Sequence, residues 1–164
     1  MNKLTRLISV ALIALFAVGL VACKKEAPAK VAAPPVAKPA NEDVNAWQEY
    51  VTDVVRRNVE PGTSPYLYFL PGASTADFQG EYDRLQEKLD GDLGRGITGD
   101  NVVLAFASPT SSKLADMMVD SFGRVEAGSL KGARVMFIGD AADSQRVEPA
   151  VTPSGATYKF VDAK

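Results

Sequence analysis

Apolar residues in this chain form short uninterrupted runs that alternate with segments in which they recur every three or four residues. The short runs predict buried strands and the recurring pattern predicts helices. The predicted strands are residues 65–70, 102–107, 134–138 and 157–161. The predicted helices are residues 42–60, 74–94, 111–125 and 142–151. This order predicts an α/β fold, a three-layer sandwich with a small, mainly parallel sheet of about four strands preceded by a helix. Because Pro149 and Pro153 interrupt the last unit, its strand could instead return as an antiparallel edge.

Polar residues predict where two of these helices begin. Asn41 or Asp43 is expected to cap the first helix, whose apolar face carries Trp47 into the core. Ser74 and Asp77 have the spacing of a capping box and are expected to open the second helix.

The first 22 residues follow a different pattern. Lys3 and Arg6 precede an apolar stretch, residues 7–21, that is shorter than the about 20 residues of a membrane-spanning helix. A basic start, an apolar stretch and a cleavage site are typical of an export signal. The stretch ends in four residues that resemble the lipobox of bacterial lipoproteins: Leu20, Val21, Ala22 and Cys23.

The resemblance implies that residues 1–22 are a signal peptide and that Cys23 becomes the lipidated N-terminus, with fatty chains such as palmitate. Two or three such chains make a stable membrane anchor. Lys24 follows the Cys, in place of the Asp that commonly retains lipoproteins in the inner membrane. The resemblance therefore favours an outer-membrane lipoprotein that faces the periplasm, with the inner membrane as the alternative.

Residues 23–41 are expected to be a tether, because they are rich in Ala, Pro and Lys and contain no aromatic residue. The periplasmic α/β domain is then residues 42–164. Residues 41–164 carry 12 basic and 19 acidic side chains, a net charge of −7. An acidic domain without a basic stripe argues against a nucleic-acid partner and leaves a protein of the envelope as the expected partner.

The chain contains no His and a single Cys, Cys23. Catalytic triads and His-ligated metal sites are therefore excluded, and so is an intramolecular disulfide. No cofactor is expected, and a protein without enzymatic activity is favoured.

Ligands in parallel α/β sheets bind beyond the carboxyl ends of the strands. Loops follow the first three predicted strands, the first two of them rich in hydroxyls, and form a possible ligand rim. Its candidate residues are Ser74, Thr75, Ser108, Ser111, Ser112, Lys113 and Asp140. The alternative is that Ser74, Ser111 and Asp143 only cap their helices.

Two further motifs are weaker. Gly94, Gly96 and Gly99 match a dinucleotide fingerprint, but they precede a strand and are expected to form a loop. Asp140 and Asp143 could hold Mg²⁺, although a metal site usually needs further carboxylates.

These patterns favour a lipid-anchored interaction, accessory or inhibitor domain without catalytic activity. The alternatives are a periplasmic binder of small anions at the rim and, with the least support, a hydrolase built around Asp140.

Overall fold

The computed structural model describes residues 33–97 and 99–164. One sheet of four parallel strands lies between two layers of helices, which confirms the predicted α/β fold. The strands are β1 (Ser64–Phe69), β2 (Val102–Ala107), β3 (Arg134–Gly139) and β4 (Thr157–Asp162). The helices are α1 (Val44–Asn58), α2 (Phe78–Gly94), α3 (Ser111–Phe122) and α4 (Ala141–Val151), followed by a 3₁₀ turn at Thr152–Ser154. Because β4 pairs parallel with β3, the antiparallel alternative is ruled out.

The strand order explains how the helices are distributed between the two faces. The strands lie side by side in chain order, β1-β2-β3-β4. Connections between parallel strands are almost always right-handed. Three successive connections in the same direction therefore place α2, α3 and α4 on one face, and their buried residues form one core cluster. The opposite face is left to α1.

The face under α2, α3 and α4 carries a row of aromatic rings. Tyr68, Phe106, Phe137 and Phe160 lie level with one another across the four strands. The rings of Tyr68 and Phe106 are stacked with centroids 4.8 Å apart. Three helices thus cover a wide face with large side chains.

The face under α1 is built from smaller residues. Ala105 and Ala107 on β2 are fully buried there, and they leave room for α1 to approach the sheet. Trp47 and Tyr50 on α1 are buried and pack edge to face, with centroids 5.5 Å apart. The expectation that Trp47 lies in the core is confirmed.

The capping expectations met different outcomes. Asp43 caps α1, since its side chain accepts a hydrogen bond from the backbone N–H of Ala46 at 2.8 Å. The capping box at Ser74 is wrong: α2 begins at Phe78, and Ser74 lies in the loop before it, bonded to Glu42. The proposed caps of α3 and α4 are also wrong, because the N-cap residues are Thr110 and Asp140, and neither side chain bonds its helix.

Residues 34–43, which we call the strap, belong to the same compact unit as the rest of the domain. The backbone N–H of Val36 donates to the carboxylate of Asp53 on α1 at 3.1 Å. The ammonium group of Lys38 lies 5.9 Å from the ring centroid of Trp47. The packed domain therefore begins earlier in the chain than the expected boundary at residue 42.

The outer edge of β1 is the most apolar exposed part of the sheet. Tyr66 and Leu67 are 43% and 39% exposed, and they are the exposed large hydrophobic residues of the described ranges. Pro65 precedes them on this edge strand. A Pro is tolerated there because an edge strand has backbone N–H positions without a ladder partner.

No helix within residues 33–97 and 99–164 combines the length and the hydropathy that a membrane span requires.

Candidate functional site

The parallel sheet brings the three loops of the expected rim to one edge. They follow the carboxyl ends of β1, β2 and β3, which are adjacent strands. The rim expected from the sequence is therefore a single surface, which holds the seven candidate residues Ser74, Thr75, Ser108, Ser111, Ser112, Lys113 and Asp140.

A crevice between the first two loops holds a side chain from the strap. One carboxylate oxygen of Glu42, Oε2, accepts hydrogen bonds from the backbone N–H of Ser74, at 2.9 Å, and from its hydroxyl. The other oxygen, Oε1, lies 3.3 Å from the donating hydroxyl of Thr110. These bonds lower the pKa of Glu42, with the Ser74 hydroxyl as the largest cause and the Ser74 N–H next. The crevice thus favours an ionised carboxylate.

The loop backbone closes around this carboxylate. Ala73 N–H donates to the hydroxyl oxygen of Thr110 at 2.9 Å, which links the β1–α2 loop to the β2–α3 loop. A Cβ atom at Gly72 would lie 2.3 Å from the Glu42 carboxyl carbon, so a side chain at this position would exclude the carboxylate. Thr75, in the same loop, forms a backbone turn with Gly72.

Two of the candidate serines are buried and bonded within the protein. The Ser108 hydroxyl accepts from the backbone N–H of Thr110, and the Ser111 hydroxyl accepts from the backbone N–H of Asp140, both at 2.9 Å. The second bond joins the start of α3 to the start of α4. A Cβ at Gly139 would lie 2.7 Å from the Ser111 oxygen, so this close approach requires Gly. Ser108 therefore stabilises its own loop, and Ser111 links that loop to the one after β3.

Ser112 and Lys113 are exposed and lie outside the crevice. The carbonyl of Ser112 accepts from Arg146 at 2.7 Å, and Arg146 also binds Asp116 across the α3–α4 boundary. Lys113 lies 4.0 Å from Asp116. Exposed ion pairs of this kind contribute little to stability, so these residues form a solvated edge of the rim.

Asp140 is exposed at the start of α4, and its partner in the suggested Mg²⁺ site, Asp143, is paired with Arg146. Asp100 precedes β2 and therefore lies at the opposite edge of the sheet. Within the described ranges, no group of three or more Asp, Glu, Cys or His side chains is arranged to hold a metal ion.

The glycine-rich segment also lies opposite the rim. Gly94 ends α2, and the following loop enters β2. Together with Arg124 and Glu126, it lines an open cleft of about 500 Å³. Because the glycines precede a strand, the geometry of a dinucleotide site is not met, as expected from the sequence.

The sequence reasoning missed two buried carboxylates. Asp53 on α1 is 4% exposed and pairs with Arg56 and Arg57. Hydrogen bonds, first from Arg57 and then from the N–H of Val36, hold the pKa of Asp53 well below its usual range. An acid on an apolar helix face with Arg three and four residues later was the signal available in the sequence.

Asp92 on α2 is the second buried carboxylate, 7% exposed, and it accepts a hydrogen bond from Tyr68 at 2.8 Å. Burial acts to raise the pKa of Asp92, but hydrogen bonds from Lys88 and Tyr68 outweigh it and the pKa is lowered. Burial, and then the bond to Asp92, raise the pKa of Tyr68. The Tyr68 contact joins residues 24 positions apart and has no local sequence signal.

A scan of the sequence against protein-family models gave no match, and neither did searches of curated proteins and of solved structures. The structure itself defines the class: an α/β domain with a parallel four-stranded sheet. The loops at the carboxyl ends of its strands are joined by hydrogen bonds within the protein.

Proposed function

We propose that this protein is a lipid-anchored lipoprotein of the bacterial outer membrane, facing the periplasm, whose acidic domain acts by binding another envelope protein. The anchoring part is supported by the residues before and at Cys23, which lie outside the described residues. The proposal of a protein partner is supported by the net charge of −7 over residues 41–164 and by the hydrogen bonds that the rim hydroxyls make within the protein.

The observation that carries the choice of a binding protein over an enzyme is the bonding of the rim hydroxyls. The Ser74 and Thr110 hydroxyls bond Glu42, and the Ser108 and Ser111 hydroxyls bond the loop backbone. A nucleophilic hydroxyl needs an adjacent general base. The carboxylate beside Ser74, Glu42, is a weakened base, because hydrogen bonds from Ser74 and Thr110 lower its pKa. Side chains that are already committed to joining the loops are suited to holding a rigid surface.

Because the strap packs with the domain, the segment that links the domain to the proposed anchor is shorter than the expected tether of residues 23–41. Ten residues, 24–33, separate Cys23 from the start of the packed unit at Pro34. A chain of ten residues spans at most about 35 Å. We therefore expect the domain to work close to the membrane and its partner to be membrane-associated.

Anchoring is tested by the mass of the N-terminal peptide and by membrane fractionation. The wild-type protein should begin at Cys23, carry fatty chains and sediment with the outer membrane. Cys23→Ser should abolish the lipid and the membrane association. Lys24→Asp should move the protein to the inner membrane, with Lys25→Asp as the matched control that leaves it in place. An unmodified Cys23 would refute the anchoring proposal.

Partner binding is tested by cross-linking in intact envelopes, followed by purification of the tagged protein. We expect one stoichiometric protein partner, with binding that weakens as salt rises, because an acidic surface attracts a basic one. Recovery of the domain without any stoichiometric partner at low salt would count against this function.

A further inference from the structure

The crevice at the rim has the form of a receptor for a carboxylate. It lies beyond the carboxyl ends of β1 and β2, where parallel α/β sheets bind their ligands. Two donors from Ser74 and one from Thr110 converge on the two oxygens of a single carboxylate. Hydrogen bonds to an ionised acceptor are stronger than those between neutral groups.

The group bound in this crevice belongs to the chain itself, and it comes from a distant part of the sequence. Glu42 is separated from Ser74 by 32 residues and from Thr110 by 68. The missing side chain at Gly72 provides the space that the carboxylate fills. Two loops and a glycine are thus arranged around an acid that neither loop supplies.

We propose that this crevice is a binding site for a carboxylate presented by another molecule, and that Glu42 occupies it as an internal competitor. This inference goes beyond the proposed function and does not depend on lipid anchoring.

The position of Glu42 allows it to be replaced without unfolding its surroundings. Its side chain is only half-buried, and Ser74 is exposed, so a ligand can reach the donors from solvent. The next residue, Asp43, caps α1 through its own side chain. Glu42 can therefore swing out while α1 remains in place.

The test is to titrate a carboxylate ligand into the Glu42→Ala variant at constant ionic strength. Binding is monitored through the backbone amide NMR signals of Ala73 and Ser74. The probes are acetate and a terminally blocked peptide that contains one Glu. We expect saturable shifts of these signals in the variant. The wild-type protein should need at least about tenfold more ligand for half-saturation, because the carboxylate of Glu42 competes at a high effective concentration.

The two probes distinguish the sources of the carboxylate. Tighter binding of the peptide would indicate a protein ligand, and equal binding would indicate a small carboxylate. Both outcomes support the site.

Three further variants keep the test decisive. Glu49→Ala, an exposed acid on α1, should respond like the wild-type protein. Gly72→Ala added to Glu42→Ala should abolish binding, because the new methyl group fills the crevice. Glu42→Ser also empties the crevice and replaces Glu42→Ala if that variant does not fold. Absence of any shift at Ser74 in a folded Glu42 variant, or equal shifts in Glu49→Ala, would overturn the proposal.

Discussion

The two faces of the sheet are covered by different numbers of helices. Three helices cover the face with the aromatic row, and its two central rings, Phe106 and Phe137, have no exposed surface. One helix covers the other face, where β2 contributes Val103, Ala105 and Ala107. The difference shows that the face covered by one helix has smaller side chains on its central strand β2, and that the strap adds contacts to this helix.

The largest expected effect comes from removing bulk on the three-helix face. Phe106→Ala should lower the free energy of unfolding by about 3–5 kcal/mol, because the stacked Tyr68 and the edge-on Phe122 lose their partner. Urea denaturation measures the loss. Phe69→Ala, on the other face and only half-buried, should cost clearly less. Equal losses would contradict the distinction between the two faces.

On the α1 face, adding bulk is the informative change. Ala105→Leu should lower the free energy of unfolding by about 1–3 kcal/mol, because Ala105 is fully buried in the cluster that α1 forms with the sheet and a larger side chain overpacks it. The matched control is the exposed Ala127→Leu, which should change stability by less than about 0.5 kcal/mol. A neutral Ala105→Leu would show that α1 is loosely packed.

The buried Asp53 gives the α1 face a dependence on acid. Its pKa is lowered in the folded state, so its contribution to stability is present above the unfolded pKa, about 3.9. The contribution is lost as pH falls below that value toward the folded pKa. The wild-type protein should therefore lose more stability between pH 6 and pH 3 than Asp53→Asn does.

Urea denaturation midpoints across this pH range measure the difference. Glu87→Gln removes an exposed carboxylate and should follow the wild-type curve. Parallel curves for the wild-type protein and Asp53→Asn would contradict the assignment.

The smallest expected effect comes from loosening the strap. Lys38→Ala removes the cation from above the Trp47 ring and the hydrogen bond to the Ala163 carbonyl. The loss should be about 0.5–1 kcal/mol, with a change in Trp47 fluorescence. Lys131→Ala, an exposed control, should leave both unchanged. An unaltered Trp47 signal in Lys38→Ala would show that the strap is not held there.

Much of the fold could be read from local patterns. The run at residues 102–107 gave β2 with its observed bounds, and Asp43 was identified as a possible cap of α1. Both depend on neighbouring residues, because an apolar run and a helix cap are each defined within a few positions. Ser74 misled for the same reason: its spacing to Asp77 is that of a cap, but the distant Glu42 competes for its N–H.

The candidate site was predicted in outline only. The topology of parallel strands was enough to place Ser74, Ser111 and Asp140 on one rim. Which of them bond each other could not be predicted, because the bond from Asp140 N–H to Ser111 spans 29 residues.

The sequence by itself determined the order of helices and strands, the acidic charge and the absence of His, since these follow from residue type and short-range periodicity. Only the tertiary structure decided that the strap packs on α1 and that Glu42 enters the crevice beside Gly72. The physical reason is that these contacts join residues far apart in the chain, and a local sequence pattern does not specify which distant residue will be the partner.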